Sequence, residues 1–243
     1  MTAFELNSAM KVTFTYVGDE QVPLWIINDF VTFPKQLVEL ADDGQENNVH
    51  SDNQFRQQNS DFYPGIRKTS PTGYGDMLSE LVSLIKQEPQ FSKYTVLNPI
   101  MSAYSIATTA PNILRPIQML PHFDAPISNQ LAVVHYLCDE QHGGTSFYRH
   151  RNSNFEQITQ SRVHQYQTKL KQQAVAEKLH LKPQYINGTT DLFEQIYCVE
   201  AKFNRAIIYP SNALHSGNIN ADAGLNSAPS KGRLTISSFI SLI

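Results

Sequence analysis

Two hydrophobic periods divide the chain. Val12 to Val17 alternates apolar and polar residues, and Pro23 to Phe33 is a second β-rich run. Pro34 suits the first turn of a helix, with Leu37, Leu40 and Ala41 on one face. Asp76 to Lys86 repeats that period through Leu78, Leu81 and Ile85, with Asp76 as N-cap. From Ser102 onward short apolar runs are separated by turns: Ser102–Thr109, Gln118–Asp124, Leu131–Cys138, Thr145–His150, Gln195–Lys202, Arg205–Tyr209, Leu214–Asn218 and Arg233–Ile240. With Gly143-Gly144 and Pro210 at turns, they predict an antiparallel sandwich or jelly roll. One helical stretch interrupts them, Arg162 to Leu181, with Val163, Tyr166, Leu170 and Ala174 on one face. The polar patches Asp42–Ser60 and Gly217–Lys231 read as loops. The expected fold is mainly β with flanking helices, in a single domain over 1–243. Residues 1–100 form a mixed α/β flank and 101–243 a jelly-roll core with a helical insertion at 152–194.

Composition narrows the class. The 243 residues can bury a core without staples, and 41% hydrophobic with 17% charged residues excludes disorder over most of the length. A formal net charge of -3 gives no footprint for nucleic acid. Cys138 and Cys198 lie inside apolar runs and read as reduced, buried thiols. No apolar stretch approaches the ~20 residues of a membrane-spanning helix, and Met1-Thr2-Ala3-Phe4-Glu5 shows no secretory pattern. A soluble, cytoplasmic protein is expected; its oligomeric state is not legible.

The chemistry centres on His122-Phe123-Asp124 and His215. On a strand, residues i and i+2 point to one face, so His122 and Asp124 can converge, and a histidine from a neighbouring strand completes two imidazoles and a carboxylate. That facial set leaves coordination positions open, the pattern of non-haem Fe(II) oxygenases. The tripeptide alone also occurs by chance as a turn aspartate beside a satisfied histidine. Near the end of the chain, Arg233 and Thr235 share a strand face, and a guanidinium beside a hydroxyl suits a carboxylate. The bland alternative is an arginine in salt bridge with an acidic neighbour.

His122-Phe123-Asp124, Gly143-Gly144-Thr145-Ser146-Phe147-Tyr148, Tyr209-Pro210 with His215, and Arg233-Leu234-Thr235 follow one another in the order of the 2-oxoglutarate/Fe(II)-dependent oxygenases. The chain resembles the prolyl-4-hydroxylase-like branch, and within it a bacterial-type family of uncharacterised function. Asn204-Arg205, Leu214-His215-Ser216-Gly217 and Phe62-Tyr63-Pro64-Gly65-Ile66-Arg67 are further matching stretches. The resemblance covers roughly Trp25 to Phe239. It implies a double-stranded β-helix holding Fe(II) by His122, Asp124 and His215, with 2-oxoglutarate as cosubstrate and O2 as oxidant. It also implies that Arg233 binds the distal carboxylate of 2-oxoglutarate with Thr235 as hydroxyl partner. The stretch from His215 to Arg233 is longer than that family's usual spacing, which a longer loop over Asn218–Lys231 explains. Asp124 argues for hydroxylation or another oxidation, since related halogenases replace this carboxylate.

Other residues carry two readings each. Tyr104 and Tyr136 can hydrogen-bond 2-oxoglutarate or be satisfied core hydroxyls. Tyr148, Arg149 and Arg151 can hold an anionic substrate group or form a solvated cluster. His135 reads as a core histidine; nothing places His150 near the metal; His50, His142, His164 and His180 are expected exposed. Asn204-Arg205 reads as a turn with a structural ion pair, and the 162–181 helix as a packing face, with a lid role open. The expected substrate is a small molecule or an amino-acid residue in a peptide, and the expected reaction is hydroxylation with release of succinate and CO2. A non-catalytic jelly-roll module and a zinc hydrolase on the same three ligands are the competing classes.

Overall fold

The computed structural model describes residues 4–42, 54–57 and 62–243, and two antiparallel sheets face each other in it. In chain order the elements are β1 (Lys11–Val17), β2 (Val22–Asn28), α1 (Pro34–Asp42), β3 (Gly65–Thr69), α2 (Tyr74–Leu78), α3 (Val82–Ile85), β4 (Leu97–Ala107), β5 (Gln130–Tyr136), β6 (Thr145–His150), α4 (Val163–Ala176), β7 (Phe193–Val199), β8 (Arg205–Pro210), β9 (His215–Gly217) and β10 (Leu234–Leu242). The larger sheet runs β1-β2-β8-β5-β10-β4-β3 and the smaller one β7-β6-β9. This is a jelly-roll-like sandwich with flanking helices.

Alternation assigns each face. In β10, Leu234, Ile236, Ile240 and Leu242 point to the helical side, where they pack with Leu37 and Ala41 of α1, Tyr74 and Leu78 of α2 and Ile85 of α3. Thr235 and Phe239 point the other way, toward the smaller sheet. Tyr136 of β5, Ile207 and Tyr209 of β8 and Phe147 of β6 fill the space between the sheets. The outer face of the smaller sheet, with Tyr148 and Phe193, is covered by the insertion through Ile158, Tyr166 and Ile186. Each fully buried large side chain contributes about 1.5–3 kcal/mol, so all three layers matter to stability.

Several expected elements change. Gln118–Asp124 is not a strand: Pro116–Met119 forms a 3-10 turn, and only His122 pairs, through an isolated bridge to His215. Pro116 and Pro121 lack the N–H groups a ladder requires. The Asp76–Lys86 helix is broken into α2, a 3-10 turn at Ser79–Leu81 and α3, and Gly73 at φ 89°, not Asp76, precedes it. The insertion helix ends at Ala176, because Lys178 turns left-handed at φ 50° before a separate turn at Leu179–Leu181. Its packing face is that of Val163, Tyr166 and Leu170. Strand β3 was not anticipated.

Cys138 is buried as expected, whereas Cys198 is exposed; both are free thiols. His142 is buried, not exposed, while His164 and His180 are exposed. His50 lies outside the described residues. Asn204 forms a left-handed turn at φ 63°. In place of the expected ion pair, Arg205 donates to the amide oxygen of Asn28 and to the carbonyl of Glu200. Among the described residues no helix is long and apolar enough to cross a membrane.

Candidate metal centre

The main chain brings the two histidines together. His122 N–H donates to His215 O at 2.8 Å, and His215 N–H donates to His122 O at 2.9 Å. Two residues exchanging both bonds across an antiparallel bridge project their side chains to one face. Asp124 follows at i+2, and its N–H donates to Ser211 O at 2.8 Å, so its carboxylate returns to that face. The result is a compact donor set. One ligand atom from each of His122, Asp124 and His215 lies within 4.8 Å of the others. Asp124 Oδ1 stands 3.9 Å from His122 Nε2, and Asp124 Oδ2 3.7 Å from His215 Nε2.

The tautomer of His215 follows from its partner. A carbonyl only accepts, so the Nδ1···Ala213 O contact of 3.0 Å puts the proton on Nδ1 and leaves the Nε2 lone pair toward Asp124. The ring is held by Tyr209 at 4.7 Å and by the His122 ring at 4.4 Å, centroid to centroid. Burial lowers His215 to about 4. His122 is also lowered, by burial and then by His215 beside it, although 51% of its side chain reaches solvent. Burial pushes the Asp124 carboxyl up to about 6. Two neutral imidazoles and one carboxylate suit a divalent transition metal. Bonds of about 2.1 Å place neighbouring ligand atoms about 3 Å apart, so each Asp124–His separation would shorten by about an ångström or less around an ion. The exposed edge of His122 gives access from solvent.

Arg233 lies farther along the same face. The residue is buried, with 6% exposure. Its Nε donates to Gly143 O at 3.1 Å and its Nη2 to Gly144 O at 2.8 Å. Among the described residues no carboxylate pairs with it. A Cβ on Gly217 would stand 3.4 Å from Arg233 Nη2, so the guanidinium lies against the strand two residues beyond His215. Two strand residues rise about 7 Å. The glycine pair makes this anchor possible: a Cβ on Gly143 (φ 81°) would meet Asn218 O at 1.5 Å, and one on Gly144 would meet Val199 O at 1.8 Å.

The other expected site residues separate into two groups. Tyr136 lies beside Arg233, whose guanidinium carbon is 6.0 Å from the ring centre, and its hydroxyl donates to Thr145 Oγ1 at 2.6 Å. Thr235 pairs with Tyr136 in register and its hydroxyl reaches Ser105 O at 3.4 Å. Tyr104 is not brought to the site. It faces the helices, where its hydroxyl donates to Leu37 O at 2.6 Å. Tyr148 faces the insertion on the outside of the smaller sheet. Arg149 is occupied by Glu156 (Nε–Oε1 2.7 Å), Asp19 (2.7 Å) and Glu194 (3.2 Å), and Arg151 donates to Thr190 O. His150 bonds Ser153 and Gln173 and is not part of the donor set.

Sequence reasoning assigned no role to Arg67, Tyr63 or Ser105. Arg67 stacks on Tyr63, its guanidinium carbon 4.7 Å from the ring centre. Both residues lie in the Phe62–Arg67 stretch already singled out, and the signal available was an arginine beside an aromatic residue.

The chain belongs to DUF6445, a family of unknown function, which matches residues 8–240. No curated protein matches it. Among solved structures it is similar to AviO1 from Streptomyces viridochromogenes Tue57, at 9% identity and a TM-score of 0.40, covering 96% of this chain and 89% of that one. It is also similar to EvdMO1, at 10% identity and a TM-score of 0.38, covering 97% of this chain and 56% of that one. Likeness at this level carries no argument about chemistry.

Proposed function

We propose that the protein is an Fe(II)/2-oxoglutarate-dependent dioxygenase that hydroxylates an amino-acid residue or a small metabolite. The observation that carries this reading is Arg233, a buried cation without a carboxylate partner among the described residues, set against the strand of His215. Burying an unpaired charge is costly, so such a group calls for an anion. The roughly 7 Å between the positions of His215 and Gly217 suits a short dicarboxylic acid with one end at the metal ligands and the other at Arg233.

The chemistry supplied by Fe(II), when bound, is reduction of O2 coupled to cleavage of 2-oxoglutarate into succinate and CO2, with hydroxylation of a substrate C–H bond. His122 and His215 meet this role as neutral donors, and the Nδ1–H···O bond to Ala213 prevents the His215 ring from turning. Asp124, as a carboxylate, would supply the one negative charge of the donor set. Arg233, fixed by Gly143 O and Gly144 O, would bind the distal carboxylate through its remaining N–H groups. Tyr136 and Thr145 hold the wall beside it.

The test is succinate production from 2-oxoglutarate by the purified full chain. It should require both Fe(II) and O2 and be lost in His122→Ala. Turnover without O2, or turnover that survives His122→Ala, would contradict the assignment.

A further inference from the structure

Two of the three metal ligands stand on little regular structure. The chain reaches His122 through two 3-10 turns, Pro111–Ile113 and Pro116–Met119, and His122 pairs through one isolated bridge to His215. So short an antiparallel pairing is marginal by itself in water. A tight ion site nevertheless needs its ligands held within about half an ångström. Alternation shows what stands behind the bridge. His122 and His215 project to the ligand side, so their chain neighbours Phe123 and Leu214 project to the other. Both enter one apolar cluster, built by Tyr148 and Phe193 of the smaller sheet with Ile158 and Tyr166 of the insertion.

Tyr166 of α4 touches the ligand tripeptide from this side. Its ring meets Phe123 edge-on, with centroids 6.1 Å apart, and its hydroxyl reaches Pro121 O at 3.5 Å. The ring pair is the stronger contact, since 3.5 Å is the outer limit of a hydrogen bond. Tyr166 is itself fixed. It is buried, and the His150 ring stands edge-on to it at 5.2 Å. Seven residues along the same helix face, Gln173 Oε1 lies 2.8 Å from His150 Nε2, and Ser153 Oγ lies 2.8 Å from His150 Nδ1. His150 thereby pins α4 to β6, and β6 also pairs with His215 through Phe147. The contacts close a ring: β6 holds His215 directly, and it holds His122 and Asp124 by way of His150, α4, Tyr166 and Phe123.

We infer that Tyr166 is a positioning residue of the metal centre: packed on Phe123, it holds His122 and Asp124 in register with His215. The insertion is a brace behind the ligands. A donor set held in place has less freedom to lose when an ion arrives, so the brace acts on metal affinity as well as on stability. The inference rests on the metal-bound reading given under Proposed function.

Calorimetric titration of the full chain with Mn(II), beside amide hydrogen exchange of the metal-free protein, tests it. Tyr166→Leu removes the ring and should weaken Mn(II) binding at least tenfold. Tyr166→Phe keeps the ring and should stay within twofold of the wild type. Phe123→Leu changes the other side of the contact and should match Tyr166→Leu. Ile85→Ala, in the helical-side core, is the control for stability alone: Tm should fall while Mn(II) affinity stays within twofold. In metal-free protein the amides of His122 and Asp124 donate to His215 O and Ser211 O. They should exchange at least tenfold faster in Tyr166→Leu than in Ile85→Ala. Mn(II) affinity equal in the wild type and both leucine variants would overturn the inference, as would exchange that rises equally in Tyr166→Leu and Ile85→Ala. If the wild type binds no Mn(II), the metal-bound reading falls separately, and the exchange comparison still decides whether Tyr166 holds the tripeptide.

Discussion

His122 and His215 exchange both main-chain hydrogen bonds across one isolated bridge. The backbone, not the imidazoles, holds the pair together, so a ligand can be removed without dissolving the arrangement. His122→Ala is expected to leave the thermal midpoint of metal-free protein nearly unchanged, because half of that ring is already in solvent. Affinity for Mn(II) should fall at least about hundredfold, beyond the effect of losing an outer-sphere partner. The metal-dependent rise in Tm of the wild type should vanish with it.

Tyr104 and Tyr136 lie on opposite faces of the larger sheet, since β4 presents Tyr104 to the helices while β5 presents Tyr136 to Arg233. Tyr104→Phe removes one buried bond to Leu37 O and should cost about 1 kcal/mol of stability with no change in 2-oxoglutarate affinity. Tyr136→Phe should cost a similar amount and also weaken 2-oxoglutarate about fivefold, because it frees Thr145 beside the arginine anchor. Calorimetric titration in Mn(II) with urea unfolding distinguishes the two.

Arg149 belongs to stability. Glu156 has a fully enclosed carboxylate that accepts from Asp19 N at 3.1 Å, Glu20 N at 2.8 Å and Arg149 Nε at 2.7 Å. Arg149→Ala leaves that buried charge without its cation and should lower unfolding free energy by about 3 kcal/mol. Its 2-oxoglutarate affinity should equal that of the wild type.

His135 makes the fold sensitive to acid. The ring is fully buried; Nε2 donates to Asn204 Oδ1 at 3.1 Å and Nδ1 accepts from Tyr74 O–H at 3.0 Å, so the neutral form is fully satisfied. Burial lowers it to about 4, against an ordinary value near 6.5. Between those values the unfolded chain binds the extra proton, so stability is full above about pH 6.5 and falls as pH drops toward 4. The full loss from this group is about 3 kcal/mol. His135→Gln should flatten the dependence of unfolding free energy on pH across that window, measured against the wild type. An equal slope in both proteins would show that His135 does not titrate as stated.

The His122–Asp124 pair was legible because a two-residue period is independent of strand length: the two share a face even though the expected seven-residue strand shrinks to one bridge. The twin glycines marked a turn but not their purpose, since the acceptance of Arg233 by two carbonyls is a long-range contact. Of the two readings open for Tyr104, the structure takes the satisfied core hydroxyl, and the sequence left the choice open for a physical reason. β4 is covered on both sides near Tyr104, so alternation tells that Tyr104 and Ser105 face oppositely but not which one faces the cavity. Strand β3 escaped because Gly65-Ile66-Arg67-Lys68-Thr69 carries two cations, one serving the α1 carbonyls and the other stacked on Tyr63. Single-sequence hydropathy reads such a segment as surface loop.

The most direct measurement is a crystal structure of the full chain with Mn(II) and N-oxalylglycine, read from the anomalous difference map. The account expects one strong peak bonded to His122 Nε2, Asp124 and His215 Nε2, with the distal carboxylate of the mimic on Arg233. A peak elsewhere, or His215 turned away from the His122–Asp124 pair with no ion between them, would contradict it.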